Sequence, residues 1–173
     1  MAAMTKHNDA LVNTVRTTCP EFCAALTDDE VVRFVRYTRV RELSANELLA
    51  DVGEIGERFY LVINGAVRLS QVTNAPVNVA QESREVEVGR IGLDSLVGEM
   101  SFFDRHPRTV RLTAAETGVK LLEINRQMYN RIRIEEPYIA TNLLEFVIRS
   151  LDALVRHLSD QNAKLLHRDY LCD

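Results

Sequence analysis

Between Val40 and Ile124 the chain consists of short apolar runs punctuated by turn residues, and this pattern constrains the fold more than any other feature. FYLVI and AVRLS flank Asn64-Gly65. Asn-Gly between two such runs is the strongest short-range hairpin signal, because both residues tolerate the positive φ of a two-residue turn. REVEVGRI, TVRLTAA and GVKLLEI read as further short strands. The polar stretch VTNAPVNVAQESR carries a proline and reads as a long hairpin excursion. So many short strands in roughly 85 residues imply a sandwich or small barrel of jelly-roll character.

Helical patterns bracket this region. In LTDDEVVRFVRYTR, Thr27 and Glu30 have capping-box spacing, Leu26 and Val31 that of a hydrophobic staple, and Val31, Phe34 and Val35 form a buried stripe. After Ile124, Asn125 can cap a short helix carrying Met128, Tyr129 and Ile132, and Pro137 suits the first turn of a long final helix. Along that helix Leu144, Val147, Leu151, Leu154 and Leu158 alternate at spacings of three and four, a seam of about two heptads. The seam fits pairing with a second copy, with intramolecular core as the alternative. The fold class is α+β: a jelly-roll-like β-roll over about 38–124, an N-terminal helix, and C-terminal helices over 125–165 forming a lid or dimerisation element. Residues 1–18 read as a loose or partly helical lead-in, 19–165 as the functional domain and 166–173 as a short tail.

Composition narrows the function classes. A chain of 173 residues, 46% hydrophobic and 27% charged, suits one globular domain. The net charge of −4 gives no support to nonspecific DNA binding. Cys19, Cys23 and Cys172 make an odd count, which together with a start lacking an apolar h-region implies reduced thiols in a cytoplasmic protein. No apolar stretch reaches the length of a membrane span. Two neighbouring cysteines fall short of a metal set, and His7, His106, His157 and His167 show no ligand spacing, so no metal is expected. The missing histidine pair also argues against a metal-dependent β-barrel enzyme.

The chemistry concentrates in VGEMSFFDRHPRTV, residues 97–110. Gly98 and Glu99 close an apolar run and open a helical turn whose first N–H groups attract an anion. Arg108, stiffened by Pro107, adds the two-pronged donor that phosphate prefers. Glu99, acceptor-only when ionised, suits a sugar hydroxyl. One carboxylate for a hydroxyl, with an arginine and a helix start for a phosphate, describes a phosphorylated ribose.

These residues resemble the phosphate-binding cassette of the cyclic nucleotide-binding domains, the family of catabolite-activator-type regulators, cyclic-nucleotide-dependent kinases and gated channels. Gly98, Glu99, Met100, Ser101, Pro107, Arg108 and Thr109 match that cassette position by position. Upstream, Gly53, Gly56 and Gly65 in GEIGERFYLVING match the family's glycine-punctuated hairpin. Three departures stand out: Asp94-Ser95 replaces the usual Gly-Asp, Leu96-Val97 stand where an aromatic is common, and Val110 replaces alanine.

The resemblance implies a cyclic AMP or cyclic GMP sensor, with Arg108 on the cyclic phosphate and Glu99 on the ribose 2′-hydroxyl. It implies backbone N–H groups around Met100 and Ser101 in the cradle, Thr109 on phosphate or base, and Leu96, Val97 and Val110 lining the pocket. It implies no catalysis, a homodimer through the last helix and signalling to a protein effector, with a slight lean to cyclic AMP. A degenerate domain kept as a dimerisation or docking scaffold is the alternative. Only LLHRDYLCD follows the seam, too little for a helix-turn-helix, so direct DNA binding is not expected.

Overall fold

The computed structural model describes residues 2–73 and 84–169. Three helices open the chain: α1 (Ala2–Thr18), α2 (Pro20–Cys23) and α3 (Asp28–Arg36). Strands β1 (Arg39–Leu43), β2 (Leu48–Ala50), β3 (Arg58–Thr73), β4 (Arg84–Ile91) and β5 (Leu96–Val97) follow. Then come α4 (Glu99–Asp104), β6 (Arg111–Asn125), α5 (Arg126–Glu135) and α6 (Pro137–Asp169). The polar residues expected as an excursion fall mostly at 74–83, outside the described residues, but the strands on either side pair antiparallel from Thr73↔Arg84 to Val67↔Ile91. Among the described residues no helix is long and apolar enough to cross a membrane.

The capping signals hold. Thr27 Oγ accepts from the Glu30 amide at 3.3 Å while the Glu30 carboxylate accepts from the Thr27 amide at 2.8 Å, starting α3. Asn125 accepts from the Met128 amide at 2.9 Å and starts α5. The lead-in, expected to be loose or partly helical, is the helix α1, and its Val12 and Val15 are buried in the core. Its polar faces obscured a short apolar stripe that tertiary packing uses.

The hairpin expected at Asn64-Gly65 does not form. FYLVI and AVRLS are successive halves of one strand, β3, which runs through the pair without reversing. GVKLLEI and the RLTAA of TVRLTAA are likewise successive parts of one strand, β6, with Thr109 and Val110 in the bend before it. The positive φ that Asn-Gly advertised is used, at Gly65 (φ 73°), but for a bend with a register shift rather than a turn. Gly118 (φ 76°) bends β6 next to Val119, the partner of Gly65, and a Cβ on Gly65 would run into the Gly118 carbonyl oxygen. Two long bent strands paired along their length curl the sheet into the roll.

The sheet order is β1-β6-β3-β4, with β2 added on β6 and β5 on β3. Alternation along β3 divides the core in two. Phe59, Leu61 and Ile63 pack outward with Leu122 and Ile124 against α1, α3, α5 and α6, meeting Val15, Phe34, Ile132 and Leu143. Tyr60, Val62 and Val67 face the inside of the roll with Val97, Leu112 and Leu121. On α6, Ile139, Leu143, Phe146 and Val147 are buried in the outer core. The heptad seam is therefore divided: Val147 belongs to the domain's own core, Leu144 and Leu154 are exposed, and the side chain of Leu158 lies outside the described residues.

Candidate functional site

The site is assembled where β5 ends. Gly98 takes the left-handed conformation (φ 81°) and caps α4, turning the chain so sharply that a Cβ there would sit 2.8 Å from Arg108 Nη1. Glycine is required twice over, for the backbone angle and for the approach of the guanidinium. Arg108 Nη1 donates to the Gly98 carbonyl at 3.4 Å, and Nη2 donates to the Arg58 carbonyl at 3.1 Å.

The upstream glycine signature holds this arginine from behind. The Gly53 amide donates to the Arg108 carbonyl and the Arg108 amide to the Glu54 carbonyl, both at 2.9 Å, while Ile55 bridges to Pro107. Gly56 lies so close to α4 that a Cβ would meet the Phe102 nitrogen at 2.7 Å. Ser101, nearly buried, accepts from the Gly56 amide at 2.8 Å and donates to the His106 carbonyl at 2.6 Å. Its hydroxyl thus ties the two signatures together and leaves only its backbone N–H for a ligand. Met100, 54% exposed, lies in the first turn of α4.

A cavity of about 620 Å³ opens in front of this arrangement. Gly98, Glu99, Met100, Ser101, Arg108, Thr109, Val97 and Val110 all line it, so eight of the nine residues singled out from the sequence converge on one space. Leu96 is the correction. Alternation along β5 sends it the other way, into the outer core and onto a neighbouring cavity between α2, the β4–β5 turn and α6. Asp94, the departure from the family pattern, has a structural use in that turn. It adopts φ 59°, and its carboxylate accepts from the Glu21 and Phe22 amides at 2.6 and 3.0 Å, capping α2.

Among the described residues Arg90 and Arg108 reach the cavity wall, and of the two Arg108 alone has no carboxylate partner there. Arg90 on β4 is gripped by Glu87 at 2.6 Å and by both oxygens of Glu116 at 2.7 and 2.8 Å, which holds the Glu116 carboxyl down at about 2. Arg108 forms no ion pair among the described residues and rests on carbonyl oxygens alone. Glu99 is half-buried beside it; burial pushes its carboxyl above the ordinary range, only partly opposed by its own amide and by the Arg108 charge.

Sequence reasoning missed the opposite wall: Leu69, Leu112, the run Val88–Ile91 and Leu154 of α6. One signal was present. REVEVGRI places Val86 and Val88 on a strand rich in charge, and both remain about half exposed. Leu154 had been assigned to the seam, whereas it lines this cavity and its neighbour alike. Among the described residues no cluster of His, Cys, Asp or Glu suits a metal ion.

Residues 40–135 match the family model of the cyclic nucleotide-binding domain. A CRP-like cAMP-activated global transcriptional regulator of Mycobacterium tuberculosis is 31% identical over 62% of this chain and 45% of its own length. A cyclic nucleotide-gated potassium channel of Mesorhizobium japonicum is 29% identical over 64% of this chain and 27% of its own. The chain thus spans less than half the length of either curated relative. The N-terminal domain of a Streptomyces coelicolor A3(2) transcriptional regulator superposes with a TM-score of 0.61 at 31% identity, over 77% of this chain and 89% of that one. With a family model covering more than half of its residues, this chain belongs to the cyclic nucleotide-binding domain family.

Proposed function

We propose that the chain is a sensor that binds cyclic AMP or cyclic GMP in the 620 Å³ cavity and transforms neither. The observation that carries this reading is Arg108: half-buried, aimed into the cavity, and held by two carbonyls with no carboxylate partner among the described residues. A part-buried guanidinium in that state is complementary to a phosphodiester anion. Glu99 accepts from the ribose 2′-hydroxyl, the Met100 and Ser101 amides complete the phosphate cradle, and Thr109 bonds phosphate or base. Val97 and Val110 bound the pocket, with Val110 narrowing it.

Leu154 at the cavity edge supports a relay through α6. A ligand shifts that helix only to the extent that it binds one arrangement better than another. We place the functional unit at 19–165, with α1 packing against its core, and the output passing to a protein effector. We favour cyclic AMP slightly, since Thr109 is compatible with it and the regulator from Mycobacterium tuberculosis is by name cAMP-activated.

Calorimetric titration of wild type and Arg108→Ala with both nucleotides tests the reading. Losing one partner of a desolvated charge pair costs about 2–5 kcal/mol, so the variant should bind at least about 30-fold more weakly. Arg108→Lys should recover only part of this, since an ammonium lacks the fork. Wild type that binds neither nucleotide at millimolar concentration would leave the degenerate scaffold as the better description. An Arg108→Ala variant within about threefold of wild type would move the site elsewhere.

A further inference from the structure

Arg108 has no carboxylate partner among the described residues, although a charged cluster lies at the Tyr60 hydroxyl, where the Arg108 charge is also felt. Glu123 on β6 faces Tyr60 across the β3–β6 pairing, with its side chain only 13% exposed. Arg58 Nε approaches its carboxylate at 3.4 Å and Arg41 Nη1 at 3.6 Å, while Arg41 also donates to the Tyr60 hydroxyl at 3.2 Å. Arg58 joins the two groups: its side chain lies on Glu123 and its backbone carbonyl receives Arg108 Nη2 at 3.1 Å. Burial pushes the Tyr60 hydroxyl up, so it stays neutral and adds no negative charge here.

A carboxylate this sheltered takes whatever cation reaches it, because leaving it unpaired is costly. Were Arg108 the nearest uncommitted guanidinium, it would turn from the cavity to Glu123 and be lost to a ligand. Arg41 and Arg58 occupy that carboxylate first. We infer that Arg41 and Arg58 are positioning residues that saturate Glu123 and so keep Arg108 unpaired and aimed at the cavity. Three guanidinium groups to the two carboxylates of Glu123 and Glu99 also leave this end of the roll with an excess of positive charge, the sign a cyclic phosphate needs. Its consequence for affinity rests on the proposed nucleotide site; its consequence for geometry does not.

The experiment is Arg58→Met, which removes the guanidinium and keeps the carbonyl that holds Arg108. In a crystal structure of the nucleotide-free variant, Arg108 should leave Gly98 and come within about 4 Å of Glu123. Affinity for cyclic AMP and cyclic GMP should fall about tenfold, and adding Glu123→Gln should restore it to within about threefold of wild type. Arg41→Met, which strips Glu123 from the other side, should act in the same direction and serves if Arg58→Met fails to fold. Arg108 unmoved in the variant structure overturns the inference, because a simple field effect would weaken binding without displacing it and would fade at high salt. A double variant as weak as Arg58→Met alone also overturns it, making Arg58 a ligand contact in its own right. If wild type binds neither nucleotide, the proposed function fails, and the position of Arg108 in the Arg58→Met structure still decides this inference.

Discussion

Glu99 is the residue at which pH should act on the site. Its carboxyl is raised chiefly by burial, so the folded chain holds this proton more tightly than the unfolded chain does. The sign follows from that difference: Glu99 favours folding at low pH, and this contribution is lost as pH rises through its folded pKa. Accepting from a ribose hydroxyl needs the opposite state, the carboxylate. Nucleotide affinity should therefore weaken as pH falls from neutrality through the raised pKa of the free site, which lies above the ordinary carboxylate range near about pH 4. Titrations over this range with wild type and Glu99→Gln check it. Glu99→Gln should lose about 1.5–3 kcal/mol of binding at pH 7, the scale of a hydrogen bond to a charged group, and should flatten the pH profile. The 2′-deoxy nucleotide should flatten it equally on wild type. A wild-type profile as flat as that of Glu99→Gln would remove Glu99 from the site.

Elements here are held by contacts that cross between them, and Arg126 at the start of α5 is the clearest case. Its Nη2 donates to the Phe102 carbonyl at 2.7 Å and to Gly56 at 3.2 Å, its Nε meets Glu57 at 3.3 Å, and its guanidinium stacks 4.1 Å from the centre of the Phe102 ring. One side chain thus fastens the end of α4, the β2–β3 loop and α5. Arg126→Met should destabilise by about 1–3 kcal/mol, the cost of leaving sheltered carbonyls unpaired, read by urea unfolding; a loss under 0.5 kcal/mol would show these bonds to be replaceable by water. Gly65→Ala should cost more than the roughly 1–2 kcal/mol of left-handed backbone alone, since its Cβ also meets Gly118. The same glycine shows where local reading stops. Asn64-Gly65 correctly announced positive φ, but whether that angle reverses a strand or bends it depends on Gly118, 53 residues further on. The cassette was legible because its glycine, carboxylate and arginine lie within eleven residues, close enough for spacing to carry geometry. Leu69, Leu112 and Leu154 were not, because only the curled sheet and the folded-back α6 bring them to the same cavity.

For the molecule as a whole, α6 poses the remaining question. Ile139, Leu143, Phe146 and Val147 anchor one side of it to the core, but Leu144, Ile148 and Val155 stay 39%, 64% and 60% exposed on another. With half-buried Leu151 they fall at intervals of four, three and four residues, the spacing of a coiled-coil seam displaced from the one drawn through Val147. An isologous pairing of this face with a second copy is the arrangement we propose. Ile148→Glu should then give a monomer in sedimentation at micromolar concentration while leaving the unfolding transition of the β-roll in place, because this side chain is largely exposed. Wild type that sediments as a monomer with and without nucleotide would dispose of the pairing. The stronger test uses reciprocity. Leu154, one residue from Val155, lines the cavity, so a nucleotide that repositions this part of α6 acts on the seam as well. Linkage requires that any factor by which nucleotide changes the dimer's dissociation constant equal the factor by which dimerisation changes nucleotide affinity. For a sensor of this kind the factor should fall at about 5- to 150-fold, measured once by sedimentation with and without ligand and once by titration of wild type against Ile148→Glu. Equal factors above that floor would make α6 the element that both events bias. A factor of one from both routes would mean that the seam and the cavity share a helix without sharing a signal, and the output of the sensor would have to leave by another surface.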